Sequence, residues 1–219
     1  KIYLKHHFHS QKIIWYFGYD LSKLNNSNLR IKELIEDLKP ITVINKELVR
    51  IGSDSDIDGN YLVPNDLNEI EYCFSLGVGN SSQFEIDLAD RGIKSFLADY
   101  SVDELPEKHK NLVFDKKFID SYNSETTITF QDWKDKYLKD YNKDMIMQMD
   151  IEGYEYKILL DIPIKLLKQF RIIVIEFHFL TRLFDLHSNQ FLYSSLKKLT
   201  EHFKVTHIHP NNHSPTLKK

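Results

Sequence analysis

The chain reads as an α/β protein with a doubly wound, mostly parallel sheet, and three observations predict this. Short apolar runs alternate with helical segments from residue 72 onward. The first run opens into a glycine turn, Gly77-Val78-Gly79-Asn80-Ser81-Ser82. Two later runs, 145–149 and 172–177, lead straight into titratable side chains. Strands separated by helices pair in parallel through crossovers. In such open sheets, ligands bind outside the carboxyl ends of the strands.

The elements follow in order. Residues 1–47 read as a helical N-terminal extension, and 48–219 as the main domain. In the extension, Ile31, Leu34, Ile35 and Leu38 fall at the spacing of one buried helix face, and Pro40 stops that helix. Residues 48–51 and 61–63 flank the turn-rich GSDSDIDGN, with Asp58-Gly59 as the hairpin corner. Strands are predicted at 72–76, 94–98, 111–114, 145–149, 172–177 and 203–208. Helices are predicted at 82–91, 126–137, 154–160 and 188–202. The run Ile172-Ile173-Val174-Ile175 is apolar on both faces, as a central strand covered by helices requires.

Composition narrows the class. With 219 residues, 42% hydrophobic and 13% aromatic, the chain can bury a full core. A net charge of −3 gives no electrostatic reason to expect a nucleic-acid partner. The one cysteine, Cys73, sits in an apolar strand, so no disulfide framework exists and a reducing compartment is expected. No apolar run has membrane-spanning length, and KIYLKHHFHS lacks a signal-peptide core, so the expectation is a cytoplasmic protein without a membrane partner. The start without Met and the abrupt end at Lys219 read as a trimmed chain.

Three constellations carry chemistry. In the glycine turn, Gly77 and Gly79 let the backbone approach a ligand, and the following helix offers N–H groups to a polar or anionic moiety. Asp99 closes the next apolar run, where a carboxylate accepts ribose hydroxyls. A dinucleotide calls for a third small residue beside the pyrophosphate. Ser82 stands there instead, and Asn80-Ser81-Ser82 suits the amino-acid portion of S-adenosylmethionine better. In the second, Asp150 ends a strand before Glu152-Gly153, placed to act as base, orient a cofactor, bind a cation or cap the following helix. In the third, strand alternation puts Glu176 and His178 on one side, and His207 with His209 on another strand's single face. Asp150, Glu176 and His178 have the donor types for a divalent ion, but no metal is assigned; a proton-transfer histidine is the preferred reading.

These residues resemble the FkbM-like family of S-adenosylmethionine-dependent methyltransferases. The matching segments are RIGSDSDIDGNYLVP (50–64), FSLGVGNSSQFEIDLADRG (74–92), FLADYS (96–101), MQMDIEGYEY (147–156), IIVIEFHFL (172–180) and HIHPNN (207–212). Residues 1–47 lie outside the resemblance. It implies a Rossmann-like, class I methyltransferase sheet and methylation of hydroxyls on sugars or other small metabolites. It also implies that Gly77, Gly79, Ser82 and Asp99 contact the cofactor and that Asp150 lies at the cofactor–substrate junction. The antiparallel strand that closes such sheets has no counterpart after Asn212.

The expected function is O-methyl transfer from S-adenosyl-L-methionine, with S-adenosyl-L-homocysteine as product, to a small polar acceptor such as a sugar or nucleotide-linked sugar. Asp150, His178 and Glu176 are the catalytic candidates, with Asp150 or His178 as base. Gly77, Gly79, Asn80, Ser82, Asp99, Tyr100, Ser101 and Asp150 are assigned to the cofactor. Arg50, Tyr61, Glu152, His207, His209 and Asn211 are assigned to the acceptor. Homo-oligomerisation is left open. The rival readings are an NAD-dependent oxidoreductase acting on a nucleotide sugar and a non-catalytic nucleotide-binding module.

Overall fold

The computed structural model describes residues 28–52 and 60–210. Helix α1 (Asn28–Asp37) leads into an antiparallel pair, β1 (Leu48–Ile51) and β2 (Tyr61–Pro64). The expected hairpin corner Asp58-Gly59 lies outside the described residues. There follow β3 (Tyr72–Leu76), α2 (Gln83–Asp90), β4 (Lys94–Ala98), β5 (Leu112–Asp115), β6 (Phe118–Asp120), β7 (Thr127–Thr129) and α3 (Phe130–Leu138). The chain continues through β8 (Met145–Met149), α4 (Glu155–Asp161), α5 (Ile164–Leu167), β9 (Phe170–Ile175), a 3₁₀ turn (Leu180–Phe184) and α6 (Leu186–Thr200).

Five strands form the central sheet in the order β5-β4-β3-β8-β9, all parallel. Numbered by their order along the chain, this is 3-2-1-4-5, the doubly wound arrangement whose strand order reverses between β3 and β8. Strand alternation divides the core. On β8, Met145, Met147 and Met149 join Phe74, Phe96, Trp133, Ile158 and Phe170 on one face. Ile146 faces the other way, into Ile51, Cys73, Phe84, Leu88 and Ile172. Phe74 packs edge-on against Trp133 at 4.9 Å and Phe130 at 5.7 Å, each such pair contributing about 0.5–1.5 kcal/mol beyond area burial. Helix α1 docks on α6: Leu34 is buried with Tyr156, Leu192 and Leu196, and Lys197 pairs with Asp37 at 2.8 Å.

Several elements differ from the sequence reading. The segment expected to be helical from 126 begins as β7, because Thr126-Thr127-Ile128-Thr129 is β-branched throughout. Thr129 then caps α3 by accepting from the Asp132 N–H at 3.2 Å. The strand expected at 203–208 does not form. That segment has no regular secondary structure; the Phe203 N–H donates to the Leu199 carbonyl at 2.8 Å, and the Val205 carbonyl accepts from the Ile41 N–H at 2.9 Å. Helix α5, the 3₁₀ turn and the β6–β7 pair have too few residues to set up a period.

A buried polar group lies between α2 and the sheet. The Ser75 hydroxyl contacts Glu85, and Ser75 Oγ lies 2.7 Å from Gln148 Oε1. One hydroxyl proton cannot serve two acceptors, so both contacts are satisfied when Glu85 is protonated and donates to Ser75. Burial, outweighing the Ser75 hydrogen bond, pushes the Glu85 carboxyl up to about 7. The fold therefore keeps a proton that the unfolded chain releases near pH ~4.3. This contribution is fully present below that pH and is lost as pH rises through about 7, by roughly 3 kcal/mol. Glu85→Gln keeps a donor for Ser75 without the titration. It is expected to melt several degrees above the wild type at pH 8 and close to it at pH 5. Equal gaps at the two pH values, read by thermal melts, would remove the protonated-Glu85 account.

Candidate active site

The site forms at the carboxyl ends of β3 and β8, where the strand order reverses. Beyond Leu76 the chain turns through Gly77 at φ +86° and Gly79 at φ +56°. The turn is pinned from both sides: the Gly77 N–H donates to the Ala98 carbonyl at 3.1 Å, and the Asp150 N–H to the Leu76 carbonyl at 2.9 Å. A Cβ on Gly77 would lie 1.8 Å from the Asp150 carbonyl oxygen, so only glycine fits there. A Cβ on Gly79 would meet nothing within 4 Å, so this side of the turn is open to a ligand. Asn80 is exposed beside it.

Asp99 has a role in the structure that its position in the sequence does not reveal. It is 6% exposed. Its Oδ2 accepts from the N–H groups of Val78 (3.0 Å) and Gly79 (3.3 Å), and its Oδ1 from the Ser101 N–H and hydroxyl, each at 2.7 Å. Burial raises its pKa, but these hydrogen bonds outweigh burial and hold the carboxyl below the usual range. Asp99 thus braces the glycine turn, and a ribose placed here would exchange with the Ser101 hydroxyl. Tyr100 is exposed and packs against Phe118 at 5.3 Å. Ser82 is fully buried, and its N–H and hydroxyl both donate to Glu107, at 2.7 and 2.6 Å. The N–H expected to face a ligand at the start of α2 is therefore engaged by a carboxylate of the β4–β5 connection.

Across the switch point, Asp150 opens a turn containing Glu152 at φ +56° and Gly153 at φ +101°. The turn is held by Glu155. Its Oε1 accepts from the Ile151 N–H (3.1 Å) and the Gly153 N–H (3.0 Å), and it also meets His178 Nδ1 at 3.0 Å. Glu155 thus satisfies two of the N–H groups before α4. His178 Nε2 lies 3.8 Å from Asp150, 3.5 Å from Glu152 and 4.0 Å from Glu176. Burial pulls the imidazole pKa down, but the Glu155 hydrogen bond and the charges of Glu155, Asp150 and Glu152 prevail and raise it. The Tyr156 hydroxyl fixes the His178 backbone by donating to its carbonyl at 2.5 Å.

Asp150, Glu152, Glu176 and His178 are therefore brought together, with the glycine turn beside Asp150. The acceptor candidates are placed as follows. Tyr61 packs edge-on against Phe84 at 5.4 Å, with Gln148 Nε2 donating to its hydroxyl at 3.4 Å. Arg50 is exposed on β1. His207 and His209 stack at 6.1 Å on the segment after α6, and among the described residues neither shares a hydrogen bond or ion pair with the His178 cluster. Their expected strand is missing, but the two rings still lie on one side of the segment. Asn211 lies outside the described residues. Sequence reasoning missed Glu155, Glu85 and Glu107. Glu155 stood inside the MDIEGYE segment, and a carboxylate in a first helical turn next to a Gly was its available signal.

A 3-2-1-4-5 parallel sheet with a glycine turn after its first strand and carboxylates after its fourth defines a Rossmann-like fold of the methyltransferase type. The family model described as the methyltransferase FkbM domain matches residues 47–203. The chain belongs to the FkbM methyltransferase family. No curated protein and no solved structure matches it. Among the described residues, no helix is long and apolar enough to cross a membrane.

Proposed function

We propose that this methyltransferase moves a methyl group from S-adenosylmethionine to a hydroxyl of a small polar acceptor, a sugar or nucleotide-linked sugar. The observation that carries this reading is the placement of Asp150. Its carbonyl packs over Gly77 of the cofactor turn, and its carboxylate stands beside His178. Cofactor turn and titratable cluster are thus next to one another across the β3–β8 switch point. The open side of Gly79 and the exposed Asn80 suit the methionine portion, and Asp99 with Ser101 suits the ribose.

The chemistry supplied by bound S-adenosylmethionine is an electrophilic methyl group, so the protein contributes in-line positioning and removal of the hydroxyl proton. The Asp150 carboxylate takes that proton. His178, tied to Glu155 and beside Asp150, Glu152 and Glu176, positions these carboxylates. Glu152 and Glu176 offer acceptors for further hydroxyls of a sugar.

Calorimetry is expected to give saturable binding of S-adenosylhomocysteine and none of NAD. Binding of NAD alone would overturn the reading in favour of an oxidoreductase. Cofactor binding without methyl transfer across a panel of nucleotide sugars would overturn the acceptor assignment.

A further inference from the structure

We propose that Asp150, Glu152 and His178 form a binding site for a divalent cation, with Glu155 orienting the imidazole behind it. One ligand atom from each of the three lies within 4.8 Å of the others. The donor set, two carboxylates and one imidazole, suits Mn²⁺ and similar ions that take mixed oxygen and nitrogen ligands.

The arrangement of His178 points the same way. Glu155 Oε1 meets Nδ1 at 3.0 Å, and a carboxylate in that position draws the ring proton to Nδ1. Nε2 then turns its lone pair toward Asp150 Oδ1 at 3.8 Å, Glu152 Oε2 at 3.5 Å and Glu176 Oε1 at 4.0 Å. A proton on Nε2 would serve one of these oxygens at about 2.7–3.2 Å, and none comes so near. Separations of about 3 to 4 Å are those of neighbouring ligands around an ion with bonds of about 2.0–2.5 Å. A metal-bound histidine whose other nitrogen donates to a carboxylate is a recurring arrangement that fixes both tautomer and ring orientation.

Glu155 supplies an independent observation. Its side chain is 0% exposed, and its Oε2 is buried without a hydrogen-bond partner. Among the described residues, the ion pair it makes is with His178, and the same holds for Glu152. Three contacts converge on its Oε1, from the Ile151 and Gly153 N–H groups and His178 Nδ1, and the remaining buried charge is offset by positive charge at the imidazole, which an ion on the far side of the ring supplies. Ligation through Asp150 Oδ1 leaves proton acceptance to Oδ2, so this site is compatible with the role proposed for Asp150 in methyl transfer.

Mn²⁺ is the probe. Titrated into the whole protein without cofactor, it is expected to bind saturably by calorimetry and to broaden the His178 ring proton signals selectively. Glu152→Gln, at a side chain 86% exposed, leaves the fold intact and is expected to weaken Mn²⁺ at least about tenfold. Asp103→Asn, at a side chain 93% exposed and remote in sequence, is expected to change nothing. Non-saturable binding, equal affinity in Glu152→Gln, or broadening that spares His178 would each overturn the site. The S-adenosylhomocysteine titration, run in chelator, tests the cofactor reading separately.

Discussion

Gly77→Ala is expected to destabilise the protein by about 3 kcal/mol or more and to abolish S-adenosylhomocysteine binding. Two costs add. At φ +86° an L side chain is strained by about 1–2 kcal/mol. The new Cβ would also lie 1.8 Å from the Asp150 carbonyl oxygen, a backbone atom that no rotamer change can move. Relief requires β3 and β8 to part where the Asp150 N–H bonds the Leu76 carbonyl, which opens the switch point itself. Gly79→Ala is the matched control: it shares the positive φ, +56°, but meets no neighbour within 4 Å. Urea unfolding should place Gly79→Ala about 1 kcal/mol below the wild type and Gly77→Ala well beneath it. Two variants of equal stability would show that the contact with Asp150 does not constrain the turn.

Asp150→Asn is expected to lower turnover by about 10²-fold or more while changing S-adenosylhomocysteine affinity little. The substitution is nearly isosteric. It leaves the backbone carbonyl over Gly77 and the N–H to Leu76 in place, so the glycine turn keeps its geometry. What is removed is the carboxylate's capacity to take a proton. The measurement pairs kcat on an acceptor that the wild type methylates with calorimetric affinity for S-adenosylhomocysteine. Turnover within a few-fold of wild type would exclude Asp150 as the base. A parallel loss of cofactor affinity would make it a cofactor ligand instead.

Legibility followed the physical origin of each feature. Strands 72–76, 94–98 and 145–149 coincide with those read from sequence, because a strand buried on both faces needs a mostly apolar run. Glu176 and His178 could be paired in advance because strand alternation is a local rule, and both do reach the same cluster. His207 and His209 were read by the same rule on 203–208, where the two rings do stack but no strand forms. An apolar segment becomes a strand only when a neighbouring strand accepts its hydrogen bonds, and among the described residues this one's backbone bonds are to the Ile41 N–H and the Leu199 carbonyl. Tyr61 packs against Phe84 and accepts from Gln148, contacts between chain segments far apart in sequence that no local pattern announces.

The sequence by itself determined the alternation of strands and helices, the strands at 72–76 and 145–149 and the residue types after them, since periodicity and strand-end chemistry are written locally. Only the tertiary structure decided how the carboxylates divide their work. Asp99 braces the glycine turn, Glu107 occupies the start of α2, Glu155 holds both the turn after Asp150 and the His178 ring, and Asp150 links the two halves of the site. A carboxylate's role depends on which donors reach it and how deeply it is buried. Those are properties of the packed chain, set by segments up to about seventy residues apart that meet only across the sheet.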